Sequence, residues 1–255
     1  MPRQIDLVAD LGEGFGDWRM GDDAALLEIV TSANVACGFH AGDPRIMDRT
    51  VAECVRRGVR VGAHPSFPDL VGFGRRAMDL TAHEVRTDVV YQLGALSAFA
   101  AYHGTRVSHI APHGRLGNLV ATREDYADAV VDAVAHVDGG LRILAQDGCL
   151  ATAARAAGIA VGIVGIADRA YEDDGTLVAR SQPGAVIHDP GVIAERTVRM
   201  VVEGLIESRN GVALPVAVDT VLLHGDTPAA VELAKRLRHD LEAVGVLVAA
   251  PGERT

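Results

Sequence analysis

The sequence predicts an α/β fold, a seven-stranded parallel β/α barrel, and three observations lead there. Short apolar runs alternate with helical patterns along the chain, the sign of repeated βα units. Aromatics make up only 4% of residues while hydrophobic residues make up 49%. The core is therefore built of Val, Ala, Leu and Ile, which suits parallel strands buried on both faces. Polar clusters fall at the C-terminal end of nearly every predicted strand, which favours a barrel mouth over an open doubly wound sheet with one switch point. A length of 255 residues matches one barrel domain, so residues 1–255 are expected to form one unit.

The elements follow in order. Strands are predicted at 5–11 and 32–37, each an apolar run that ends in glycine and polar residues. Asp43 before Pro44 gives an N-cap with proline at the first helical position, opening a helix that ends near Gly58. A strand at 59–64 comes next, then a long helix opened by the capping box of Thr81 and Glu84 and stopped at Gly104. After a strand at 107–112, Thr122 with Asp125 opens another helix. Strands at 141–145, 159–166 and 217–223 complete the barrel. Asp189-Pro190 and Thr227-Pro228 open the last two helices, with Gly211 and Gly245 as stops.

Composition excludes several classes of function. A net charge of -10 without a Lys/Arg cluster or aromatic platform argues against nucleic acid. No apolar run reaches the roughly 18 residues needed to span a bilayer, and the N-terminus enters a strand at once, so no signal peptide is expected. Cys37, Cys54 and Cys149 show no CxxC spacing, and reduced thiols in the cytoplasm are the simpler reading.

The chemistry-bearing residues sit at strand ends. Asp10 and Glu13 place two carboxylates beside glycines after the first strand. The second runs through Asn34 into a glycine-flanked His40 just ahead of a helix start, where an imidazole can meet a metal or an anion. Cys37 reads as a small buried strand residue rather than a nucleophile, because no neighbour in sequence would lower its pKa. His64 ends the third strand, and Arg75 and Arg76 in the following loop can grip a carboxylate bidentately. His113 ends the fourth strand, and His224 with Asp226 follows the last. Four of the ten histidines thus fall at strand ends, a set that points to an active site in a barrel mouth. The remaining six read as ordinary surface positions. Two chemistries stay open. Asp10, His64 and His113 match the ligand types of a divalent ion with an open position for water; without metal, a carboxylate acts as base and the histidines as proton donors.

The run 6–16 and the segments SANVACGFHAGDP (32–44) and GAHPSFPD (62–69) resemble the LamB/YcsF family. So do Ala167-Asp168-Arg169-Ala170-Tyr171, Gly175, Leu177, Arg180-Ser181, the segment 183–187 and His224-Gly225-Asp226-Thr227-Pro228, and the similarity covers nearly the whole chain. Family members with an assigned role are similar to the A subunit of an ATP-dependent 5-oxoprolinase, which opens a lactam to glutamate together with subunits B and C. The resemblance implies a seven-stranded β/α barrel of the deacetylase type. It also implies that Asp10 or Glu13 activates water while His40, His64 and His113 orient it and protonate the leaving nitrogen. Arg76 or Arg169 would hold a substrate carboxylate, with Asn34, Asp168, His224 and Asp226 also binding substrate. ATP falls to the partners, since the chain has no GxxxxGK[ST] loop. A stand-alone metal-dependent deacetylase-like hydrolase and a paralogue with altered substrate or no catalysis are the alternatives. Three positions depart from the family. Where it reads Lys-Pro-His-Gly-Ala-Leu-Tyr-Asn, Ala111 and Gly117 replace the lysine and the tyrosine and Arg115 enters. Where it carries a glutamate, Gly165 and Ile166 stand. If that lysine and glutamate pair across the mouth, their joint loss avoids an unpaired buried charge, which costs about 3–5 kcal/mol.

Overall fold

The computed structural model describes residues 3–226 and 229–252. It begins with β1 (Gln4–Leu11), α1 (Asp23–Leu26), β2 (Ser32–Ala36), α2 (Pro44–Arg57) and β3 (Arg60–His64). The middle holds α3 (Ala82–Tyr102), β4 (Val107–Ile110), α4 (Gly114–Val120), α5 (Glu124–Asp138), β5 (Arg142–Ala145), α6 (Cys149–Ala156) and β6 (Val161–Ile166). The chain then forms α7 (Pro190–Val202), the short strands β7 (Leu205–Glu207) and β8 (Ala213–Pro215), β9 (Thr220–Leu223), α8 (Ala230–Ala243) and β10 (Leu247–Val248).

β1 to β6 and β9 pair in parallel, and β9 closes the barrel by pairing back onto β1 from Asp6↔Thr220 to Ala9↔Leu223. All seven predicted strands are present. β10, which lies parallel to the first residues of β1, and the antiparallel pair β7–β8 add to them. That pair corrects the expected end of the 189–211 helix. α7 stops at Val202, Gly204 takes φ +70°, and Gly211 lies at the turn of the β7–β8 ribbon.

Local capping explains where the other helices begin. The Asp43 carboxylate accepts from the amides of Arg45 and Ile46, and Gly58 closes α2 at φ +71°. Thr81 and Glu84 form the reciprocal capping box. Asp189 accepts from Val192 N, with Pro190 opening α7. Thr122 does not cap α5, however. Arg123 takes the N-cap position without a side-chain cap, and Asp125 bonds the Arg123 guanidinium instead. Thr227 and Pro228 lie outside the described residues, and α8 is described from Ala230 onward.

Alternation along the strands creates two separate apolar regions. Leu7, Ala9, Leu11, Val35, Ile143 and Val221 point outward into the main core beneath the helices, each buried Leu or Ile contributing about 1.5–3 kcal/mol. The inward positions divide by strand. On β1 to β4 most are polar, with Asp6, Asp10, Ser32, Asn34, His64 and His109 beside the apolar Val8. On β5, β6 and β9 they are Leu144, Val164, Ile166 and Leu222, which with Ala111 make a second, smaller apolar cluster inside the barrel. Cys37 is buried, and burial pushes its thiol up to about 12, in line with a packing role.

Candidate active site

A chain of buried hydrogen bonds crosses the polar half of the lumen. The register Asp10↔Asn34↔Gly62 sets three strand positions side by side. Asn34 Nδ2 donates to Asp10 Oδ1 at 2.9 Å, and Asn34 Oδ1 lies 2.9 Å from His109 Nε2. Ser108 Oγ lies 2.9 Å from the other nitrogen of His109. Because the Asn34 oxygen only accepts, His109 donates from Nε2, while the Ser108 hydroxyl donates to the Val61 carbonyl at 2.9 Å. The His109 and Asn34 donors therefore both point toward Asp10, which favours its anionic form. Sequence reasoning missed His109 and placed it on the surface, yet it is 4% exposed.

His64 and His113 meet beside Asp10. His64 Nδ1 lies 2.6 Å from the Ala111 carbonyl oxygen, and His113 Nε2 lies 2.9 Å from that of Phe73. A carbonyl only accepts, so each ring donates there. The remaining nitrogens, His64 Nε2 and His113 Nδ1, face each other at 2.9 Å. Two lone pairs repel at that distance, so a shared proton or a cation satisfies the gap. Asp10 Oδ1 lies 3.3 Å from His64 Nε2 and Glu13 Oε1 lies 3.5 Å from His113 Nδ1, and the Asp10 carboxylate favours positive charge there. Phe73 adopts φ +54°, uncommon for a side chain of its size, and its ring packs edge-on against His40 and His113.

The surroundings separate the two carboxyls. Burial opposes charge on Asp10, but His64 and then His224 and His113 together outweigh it and hold the carboxyl below the usual range. For Glu13, burial and the repulsion of Asp10 and Asp226 act together and push the carboxyl well above it. Burial, then neighbouring histidines, press His40 and His113 well below the usual imidazole value. Glu13, His40, His64 and His113 form a compact group of metal-ligating types. Not all four fit one ion, because an ion lies in the plane of each imidazole it binds. The His40 and His113 rings stack with centroids 3.9 Å apart and planes 7° from parallel. The His64 and His113 planes, at 77°, do converge, and Asp10 Oδ1 lies 3.3 Å from His64 Nε2, but the expected ligand Asp10 is not part of the compact group, whose carboxylate is Glu13.

Asp10, Asn34, His64, His113, Arg169 and His224 line a cavity of about 310 Å³ at the mouth, whose opposite wall is the inner apolar cluster. Glu13 and His40, both buried, do not line it; they stand behind His113. The expected carboxylate ligand Arg76 does not line it either. Its side chain is 64% exposed and bonds Asp69, while Arg75 faces the cavity. Arg75 in turn pairs with Asp226 at 2.7 Å. Arg169 is committed to the carbonyls of Ala185 and Val178, which gives it a bracing position at the cavity wall. Asp168 accepts from His224 Nδ1 at 2.8 Å, and Arg180, not singled out as a site residue from sequence, donates to His224 Nε2 at 3.0 Å.

The LamB/YcsF family matches residues 5–255, almost the entire chain that forms this barrel and its mouth. The chain belongs to the LamB/YcsF family. A relative from Streptomyces avermitilis, named as the A subunit of 5-oxoprolinase, is 52% identical over 247 residues, 96% of this chain and 99% of that one. The lactam utilization protein of Thermus thermophilus superposes with a TM-score of 0.91 at 43% identity, covering 97% of this chain and 99% of that one. A family 4 carbohydrate esterase from Streptomyces lividans shares the fold at 12% identity, with a TM-score of 0.52 over 97% of this chain and 92% of that one.

The departures from the LamB/YcsF pattern now have positions. Ala111 faces the lumen and packs with Leu144, Val164 and Ile166. Gly165 does not: a Cβ there would fall on Met200 of α7 and on Val218. Residue 165 therefore cannot pair across the mouth with residue 111, and of the two candidate positions only Ile166 shares the lumen. Gly117 lines the cavity, and a Cβ there would fall on the Pro112 carbonyl. Gly165→Glu is accordingly expected to force a charge between β6 and α7 and to lower stability by about 3 kcal/mol or more. Urea unfolding followed by circular dichroism measures this, and a variant as stable as wild type would contradict the placement.

Proposed function

We propose that this chain is the A subunit of an ATP-dependent 5-oxoprolinase, hydrolysing the lactam of 5-oxoproline to glutamate with subunits B and C, which use the ATP. The observation that carries the reading is a buried Asp10–His64–His113 constellation at the head of an amide-sized cavity, in a chain 52% identical to a protein named for this activity. Asp10, held anionic, takes a proton from water as its oxygen bonds the lactam carbon. The C–N bond breaks, and the nitrogen receives the proton held between His64 and His113. Asn34 orients the base, and Glu13 and His40 back the imidazole pair. An amide is a poor electrophile, and phosphorylation of its oxygen by the partners is the activation that ATP supplies; opening of the phosphorylated ring then leaves an acyl phosphate, which a second water cleaves to glutamate and inorganic phosphate. A divalent ion held by His64 and His113 would supply Lewis acidity at the carbonyl. No described helix is long and apolar enough to cross a membrane, and three free cysteines suit a reducing compartment, so we place the protein in the cytoplasm.

Reconstitution with subunits B and C, ATP and 5-oxoproline tests the reading. Glutamate and ADP are expected in equal amounts, and activity that survives chelation assigns the imidazole gap to a proton. ADP without glutamate, with 5-oxoproline still bound, would mark a chain that has lost catalysis or changed substrate.

A further inference from the structure

Four arginines line the catalytic cavity: Arg75, Arg115, Arg169 and Arg180. Three have partners: Asp226 for Arg75, two backbone carbonyls for Arg169 and His224 for Arg180. Arg115 differs. Its Nε is buried with no hydrogen-bond partner, and no ion pair forms on its guanidinium among the described residues. A buried guanidinium donor left without an acceptor carries a desolvation cost that a bound anion relieves. Arg115 also stands where a second cavity of about 570 Å³ adjoins the first, flanked by Asn118 and Gln146, which line both. Its main chain is fixed independently, since Arg115 N donates to the Gly74 carbonyl at 2.8 Å.

We infer that Arg115 is the residue that selects a carboxylate-bearing ligand. The ring of a small cyclic amide lies on Ala111, Val164, Ile166 and Leu222, its amide edge meets Asp10 and His64, and its carboxylate reaches Arg115 at the junction of the two cavities. This rests on the lactam reading above, which supplies the amide edge. No cation projects from the inner wall at Ala111, so the anion is held from the first turn of α4.

Calorimetric titration of the isolated chain separates the two claims with three probes: 5-oxoproline, 2-pyrrolidinone (the amide without a carboxylate) and cyclopentanecarboxylate (a carboxylate without the amide). Wild type is expected to bind 5-oxoproline at least about tenfold more tightly than 2-pyrrolidinone. Arg115→Ala should weaken both carboxylates by about ten- to a hundredfold and leave 2-pyrrolidinone unchanged, while Arg115→Lys restores part of the loss. Arg115→Ala binding the carboxylates like wild type, or losing all three probes in proportion, overturns the assignment. Wild type holding cyclopentanecarboxylate as tightly as 5-oxoproline, with both lost in Arg115→Ala, keeps Arg115 as the anion site and removes support from the lactam reading. Binding of none of the three at millimolar concentration overturns both.

Discussion

The reconstituted enzyme carrying His64→Ala turns 5-oxoproline over at least about a hundredfold more slowly than wild type, the low end of what a positioned acid–base group supplies. His64 has three connections that no other residue duplicates: the Ala111 carbonyl at 2.6 Å, His113 Nδ1 at 2.9 Å and Asp10 at 3.3 Å. Removing the ring deprives Asp10 of the neighbour that does most to favour its charge against burial. It also leaves the proton of the imidazole pair without its second nitrogen. The loss therefore falls on kcat. On the proposed division of labour, in which the partners use the ATP, ADP formation continues and ADP outruns glutamate. Parallel assays of the two products decide the matter: turnover within about fivefold of wild type would remove His64 from the chemistry.

Gly62→Ala is the second large effect, and it acts at a distance from the reacting atoms. A Cβ at Gly62 would fall on the His109 imidazole, where the β3–β4 register already shifts between Val61 and Gly62. The ring must swing away, which breaks its bond to Asn34 and releases the amide that holds Asp10. Overpacking and a lost buried hydrogen bond together cost about 2–4 kcal/mol, read as a lower urea midpoint, and catalysis falls with the disordered base. Adding His109→Ala removes the collision, so the double variant should regain at least half of the stability while activity stays low. A double variant no more stable than Gly62→Ala would mean that the imidazole is not the obstacle.

Much of this was legible in the sequence because it is written locally. Seven apolar runs became seven barrel strands, and the Thr81–Glu84 box and the Asp43-Pro44 start became helix N-termini. The strand-end residues Asp10, His64 and His113 do converge. What escaped depends on direction rather than position. Arg75 and Arg76 are adjacent in one glycine-rich loop, and it is distant or looped-back carboxylates that part them: Asp69 takes Arg76 while Asp226 holds Arg75 at the cavity. Gly165 and Ile166 are likewise neighbours, and strand alternation sends one to α7 and the other to the lumen. His109 carried a usable signal, since it lies two residues before Ala111 on a strand whose inward phase His64 and Asn34 share across the register. β7, β8 and β10 have three, three and two residues, too few for a period to show.

The division of the lumen into a polar and an apolar half has an evolutionary reading. Most of the polar half comes from the first four strands and most of the apolar wall from the last three, with Val8 and Ala111 the exceptions, so chemistry and fit are largely carried by different stretches of the chain. Substitutions at Leu144, Val164, Ile166 or Leu222 can reshape the wall against which a substrate rests without touching Asp10, His64 or His113. One barrel can thus diversify among ring-shaped amides by drift in its C-terminal half while its N-terminal half stays under a single constraint.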